Sequence, residues 1–484
     1  MPGTVAVAVF DGNGDVQVFS ELSPILARLR LVNFTSPNAA DTLSRMSASE
    51  HASEASDRKR ARRQILAGVV VVCCIPLLLA FNKRGRTIEI DEIYWIGQAY
   101  YFHLAFQERD WAHADWQLVP AHQNPVIGKY AIGSGLRMNG LSVENTDWLG
   151  VYFYITRKAW GEGEDRKGRS ELVRRMRPEA RDRLIRDEEF EFPPGHLRVG
   201  RSVMLFFGIM AVALVFILGS FYLKPAAALC VAALFAAHPA IVEAYTSVGV
   251  DIVACAFSLA AVIHYHVIES RAWTRLENRS VWIPLIVLSG AICLACAVGS
   301  KLNAALVGFV GVWLLGATLA RSLKQPSEDA IKPVWMTGVM LILSFVVFIT
   351  TNPATLSDPV SGLKSSFIVA QRDLELQRQV LPDPLQSPGA RLMAIASLTA
   401  LHPLLFILVV AAFAHHCRDR LKSGQTWTLI AVWWLITWIG ILLWIPFARQ
   451  RYLVPLIPPS LILLGIAGQH IAPLLRQARW SNAD

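Results

Sequence analysis

Two adjacent carboxylates, Asp91 and Glu92, sit in Ile90-Asp91-Glu92-Ile93-Tyr94-Trp95, shortly after the first apolar stretch. Adjacent residues point to different sides of a helix, so the two need not share a role, and an exposed acidic cap is the plainer alternative. A third acid, Asp251, opens a later apolar stretch. A lone carboxylate near a membrane core costs a few kcal/mol, so Asp251 is expected to face a polar cavity. Two acids converging there can orient an acceptor hydroxyl and take its proton, or hold a divalent cation such as Mg or Mn. Four cations belong to the same set: Lys129, Lys301, Arg449 and Arg451. Each alone could snorkel to lipid phosphates. Together on one side they suit an anionic headgroup. Asn352, in Thr350-Thr351-Asn352-Pro353, is either a turn residue or a side chain placed over the cavity.

The elements that must hold these residues are apolar helices. Of 484 residues, 54% are hydrophobic and 17% are charged, against about a quarter charged in a soluble domain. The charges cluster between long apolar stretches, the pattern of membrane spans with wet connectors. The fold class expected is therefore an all-α polytopic membrane protein. About ten spans are expected, near residues 65–81, 203–222, 225–245, 250–268, 281–299, 302–319, 334–350, 392–414, 427–445 and 452–471. His238-Pro239 marks a place where the third can break. A net charge of +9 fits basic cytoplasmic loops, with no nucleic-acid partner. Cys293 and Cys296 have CxxC spacing without a second pair, and the cysteines read as inert buried thiols.

Residues 1–64 are polar and mixed, without a secretory signal peptide, and are expected to be a disordered cytoplasmic leader whose true start is Met46. Arg58, Lys59, Arg60, Arg62 and Arg63 precede the first span and put the N-terminus inside. Alternation then puts the basic connectors holding Lys224, Arg271, Arg321, Arg418 and Arg476 inside as well. Two long segments, residues 82–201 and 351–391, fall outside. The first is rich in Trp and Tyr, which favour the headgroup region, so short amphipathic helices along the membrane are expected. Its tail, residues 166–191, is densely charged and reads as a solvated helix.

These ordered features resemble a known family, the protein O-mannosyltransferase and aminoarabinose transferase group of GT-C glycosyltransferases. Asp91-Glu92 resembles the family's Asp-Glu after the first span. Asn124-Pro125-Val126-Ile127-Gly128-Lys129-Tyr130 resembles its His-Pro-Pro-Leu-Gly-Lys segment, with Asn124 and Val126 departing from it. Asp251 falls where the family has an acid, Ser300-Lys301 resembles its Thr-Lys turn, and Arg451-Tyr452-Leu453-Val454-Pro455 resembles its Arg-Tyr-x-x-Pro. The resemblance implies an inner or plasma membrane enzyme working on the outer face. It would move a sugar from a polyprenyl phosphate to a protein or lipid hydroxyl. It implies Asp91 as base, with Glu92 and Asp251 orienting the acceptor or binding a metal. Lys129, Lys301, Arg451 and Tyr452 would hold the donor phosphate, and Asn352 would lie on the acceptor side. A secondary transporter and a non-catalytic lipid-binding protein are the competing readings. Transporters tend to show internal repeats and mid-membrane polar breaks; no repeat is evident here, and the acids lie at outer helix ends.

Overall fold

A computed structural model describes residues 7–10, 16–19, 63, 65–81, 88–160, 166–186, 192–275, 279–380, 387–399, 403–422, 428–444 and 450–481. The chain divides into two compact units, Met1–Gln64 and Ile65–Asp484. In the first, Val7–Phe10 pairs antiparallel with Val16–Phe19. The expected leader otherwise lies outside the described residues.

The second unit is helical throughout its described residues. Among them, six helices are long and apolar enough to cross a membrane: Pro194–Ser220, Asp251–Glu269, Ser280–Ser300, Leu302–Lys324, Glu328–Thr351 and Arg451–Gln469. Pro225–Ala237 and Pro239–Thr246 form a bent pair, turned by 61°, that counts as a seventh if taken as one span. The bend falls at His238-Pro239, where proline lacks the N–H that would continue the hydrogen-bond ladder. Ile65–Phe81 and Leu429–Leu443 are shorter apolar helices. Pro388–Thr399 and Pro403–Lys422 cover the described part of the expected span at 392–414, and residues 400–402 lie outside the described residues.

Large apolar side chains such as Phe206, Phe309, Ile342 and Phe345 stay exposed on the long helices. In water that would be a liability, whereas lipid is as apolar as they are. The Asp251–Glu269 helix is the most enclosed of the six, with 61% of its apolar window buried inside the protein. It packs against Pro194–Ser220 and Arg279–Ser300. Asp251 therefore starts the central helix.

Within the first long connector, the charged tail is two helices, Arg166–Arg175 and Pro178–Ile185. They are not merely solvated, because Leu172, Met176 and Leu184 are buried and two of the arginines are tethered. Arg175 pairs with the buried Asp115. Arg177 donates from its backbone N (2.9 Å) and its Nε (2.6 Å) to Asp147. Asp115 also accepts from the Tyr100 hydroxyl at 2.7 Å. Burial first, then that bond, pushes the Tyr100 phenol far up, so it serves as a permanent donor.

Candidate functional site

The Ile90–Gly97 helix sends its two carboxylates in different directions. Glu92 is 1% exposed. Its Oε1 accepts from Arg201 Nε and from the backbone N of Val248, both at 2.9 Å. Its Oε2 accepts from Arg201 Nη2 at 2.7 Å and from the Glu89 backbone N at 3.1 Å. A carboxylate so occupied has no free lone pair aimed at a substrate. The expected acceptor-orienting or metal-binding role for Glu92 gives way to a structural one. It fastens its helix to Pro194–Ser220 and to the turn at Val248, just before Asp251. The missed signal is Arg201, which reads as a span boundary and is in fact the counter-charge.

Asp91 lies about 100° round the helix from Glu92 and meets a different partner. Its Oδ2 accepts from Arg451 Nη1 at 2.5 Å. Asp251 pairs with Lys301. The two pairs share one ring: Lys301 Nζ is 5.2 Å from the Tyr452 centroid and Arg451 Cζ is 5.7 Å from it. The structure thus brings Asp91, Asp251, Lys301, Arg451 and Tyr452 together from four separate parts of the chain. Arg449 lies outside the described residues.

Helix ends make this convergence possible. Asp251 is the first residue of its helix. Lys301 follows Arg279–Ser300 in an extended conformation, φ −154° and ψ 128°, so the chain turns there. Arg451 and Tyr452 lie in the Gln450–Leu456 turn before the last helix. Two glycines let the Ile127–Met138 helix close against this end. A Cβ on Gly128 would collide with Val250, and a Cβ on Gly299 would stand 2.6 Å from Ile127 Cγ1. Trp95 reaches the same place: a Cβ on Gly249 would lie 4.0 Å from its Nε1 and 3.9 Å from Asp251 Oδ2.

Lys129 does not join the cluster. It is fully buried, and its Nζ donates to the carbonyls of Pro120 (2.6 Å) and Ala121 (3.2 Å). The Tyr101 ring lies 4.7 Å away. Burial pushes its pKa well down. The expected phosphate-holding role is therefore replaced by a local one: Lys129 clamps the Val119–Gln123 turn. That turn presents His122, whose Nδ1 is 3.4 Å from Ser366 Oγ, a contact that sequence spacing gives no hint of.

Asn352 is 2% exposed, and its Oδ1 has no hydrogen-bond partner among the described residues. Its main-chain carbonyl accepts from the backbone N and the hydroxyl of Thr355, both at 2.9 Å. Asp91 and Asp251 each face a cation, and among the described residues no group of three or more His, Cys, Asp or Glu could hold a metal.

No family profile matches the chain, and no curated protein matches it by sequence. Solved structures do resemble it. The oligosaccharyltransferase of Archaeoglobus fulgidus, crystallised in complex with zinc and sulfate, aligns with TM-score 0.52 and 13% identity over 84% of this chain and 49% of that one. The same archaeal enzyme, AglB, with an inhibitory peptide and a dolichol-phosphate, aligns with TM-score 0.49 and 13% identity over 87% and 52%. The Saccharomyces cerevisiae Pmt1-Pmt2 protein O-mannosyltransferase bound to its sugar donor aligns with TM-score 0.42 and 14% identity over 75% and 39%. The chain spans about half the length of the archaeal enzyme, 49% of it in the first alignment. What the first likeness shows is the fold: this chain shares the helical membrane architecture of the matched half of the archaeal oligosaccharyltransferase.

Proposed function

We propose that the chain is a membrane glycosyltransferase that moves a sugar from a polyprenyl phosphate to a hydroxyl of a protein or lipid acceptor, on the outer face. The observation that carries this reading is the double ion pair around Tyr452. A site for a phosphate-linked donor needs cations for the leaving phosphate and a carboxylate for the acceptor proton. Here they occur as partners of each other: Arg451 with Asp91 and Lys301 with Asp251.

In this reading the donor phosphate displaces the carboxylates from Arg451 and Lys301. Tyr452 keeps the two cations on one side. Asp91, released from Arg451, takes the proton of the acceptor hydroxyl, and Asp251 orients that hydroxyl. The hydroxyl oxygen forms a bond to the anomeric carbon while the bond from that carbon to the phosphate oxygen breaks. The electron pair leaves with the polyprenyl phosphate, held by Lys301 and Arg451. Attack opposite the leaving group inverts the anomeric centre through an oxocarbenium-like transition state.

The transporter reading fits less well, because the charged residues sit at helix ends rather than at mid-membrane breaks. Vesicles carrying the protein, given a radiolabelled polyprenyl-phosphate sugar, separate the two. Transfer of label to an acceptor supports the proposal. Uptake of free sugar with no transfer contradicts it.

A further inference from the structure

Two amide oxygens close to the charged centre, Asn303 Oδ1 and Asn352 Oδ1, are buried without a hydrogen-bond partner among the described residues. A buried acceptor has lost its bonds to water without replacement, so each such atom asks for a missing donor.

Their places in the chain bind them to the site. Asn303 stands two residues after Lys301, inside the Leu302–Ala304 turn that Lys301 caps. The intervening Leu302 packs against the cluster of Ala295, Phe348 and Ile349. Phe348 and Ile349 belong to the last turn of the Glu328–Thr351 helix, immediately before Asn352. From the other side, the Tyr130 hydroxyl donates to the Thr351 carbonyl at 3.3 Å. On the same helix as Tyr130, Gly128 abuts Val250, and a Cβ there would lie 4.0 Å from the Ser300 carbonyl. The two unpaired oxygens therefore border the end of the bundle that holds Asp251 and Lys301.

We infer that Asn303 and Asn352 accept hydrogen bonds from the hydroxyl groups of the donor's sugar. The inference rests on the proposed transferase reading and names the part of the ligand that these side chains take. A sugar is covalently joined to its phosphate, so a phosphate on Lys301 places the ring beside Asn303. A bare polyprenyl phosphate has no sugar hydroxyls to offer the two oxygens. A hexose offers several. The pairing makes the asparagines discriminate the sugar, whereas Lys301 and Arg451 hold the phosphate common to every such lipid.

The test is equilibrium binding to the full chain in nanodiscs, using undecaprenyl phosphate and the same lipid carrying mannose, glucose or N-acetylglucosamine. The wild type is expected to bind at least one sugar-bearing lipid roughly tenfold or more tighter than the bare phosphate, as one or two net hydrogen bonds would give. Asn303→Ala and Asn352→Ala are each expected to remove most of that increment while leaving affinity for the bare lipid within about twofold. Equal weakening toward bare and sugar-bearing lipid would mean a structural role and overturn the inference. So would an increment that survives both substitutions. No binding of the bare lipid by the wild type would instead overturn the donor reading on which the inference rests. Monodeoxy sugars sharpen the result: a donor lacking the hydroxyl that Asn352 receives should bind wild type and Asn352→Ala equally.

Discussion

At the end of the bundle that holds Tyr452, the four charged side chains all keep some exposure: Asp91 29%, Arg451 27%, Lys301 18% and Asp251 13%. One residue from Asp91, Glu92 is 1% exposed and chelates Arg201 through both oxygens. Both regions are opposite charges in contact, yet they are built for different ends. The Glu92 carboxylate has a donor for every useful lone pair, including two backbone N–H groups. The pairs beside Tyr452 keep part of their surface open and, in the proposed reading, trade a carboxylate for a phosphate. Completeness of hydrogen bonding, more than charge, separates a fastening from a working site.

The largest effect expected of a change on the working side is at Arg451. Arg451→Ala removes a cation from the leaving phosphate, and turnover in a polyprenyl-phosphate sugar assay is expected to fall about 10²–10³-fold. An unchanged rate would remove Arg451 from the chemistry. On the fastening side, Glu92→Ala leaves Arg201 and the Val248 N–H unmatched. Stability is expected to drop by on the order of 3 kcal/mol, read as a lower melting temperature in detergent. Melting like the wild type would erase the contrast between the two regions. Lys301→Ala is expected to raise the donor concentration needed for half-maximal rate by about tenfold to a hundredfold. A shift in melting with no shift in donor requirement would argue against its contact with phosphate.

The smallest effect concerns pH. Burial first, and then the nearby Lys129 charge, lowers the His122 pKa from 6.5. The unfolded chain thus binds the proton more readily than the folded one. Stability from His122 is complete above pH 6.5 and is lost as pH falls through the lower folded value. His122→Gln should flatten the melting curve against pH in that window. An identical slope in both proteins would place the titration elsewhere.

Much of this fold is legible in the residue pattern because lipid imposes long apolar runs. The helix Asp251–Glu269 follows its run closely, whereas Pro194–Ser220 and Glu328–Thr351 begin well before the expected spans at 203–222 and 334–350. The bend at Pro239 is a proline effect, and His238-Pro239 flags it in the sequence. Placing Asp91, Asp251, Lys301 and Arg451 at one end needs no more than order and alternation of spans. The destinations of Glu92 and Lys129 do need tertiary packing. Nothing near Glu92 in sequence announces Arg201, and nothing near Lys129 announces that carbonyls rather than a ligand will take its protons. Motif order places a backbone, while the direction of a side chain depends on what packs against it: Arg201, far along the chain, for Glu92 and the nearby Pro120 and Ala121 carbonyls for Lys129.

The most direct measurement of the proposed chemistry is turnover per folded molecule of Asp91→Asn, with polyprenyl-phosphate sugar at saturating concentration. Loss of a general base predicts a fall of about 10²–10⁴-fold, with the melting temperature and donor binding close to wild type. Turnover near the wild-type rate, in protein that is equally folded, would contradict the assignment of Asp91 as the base.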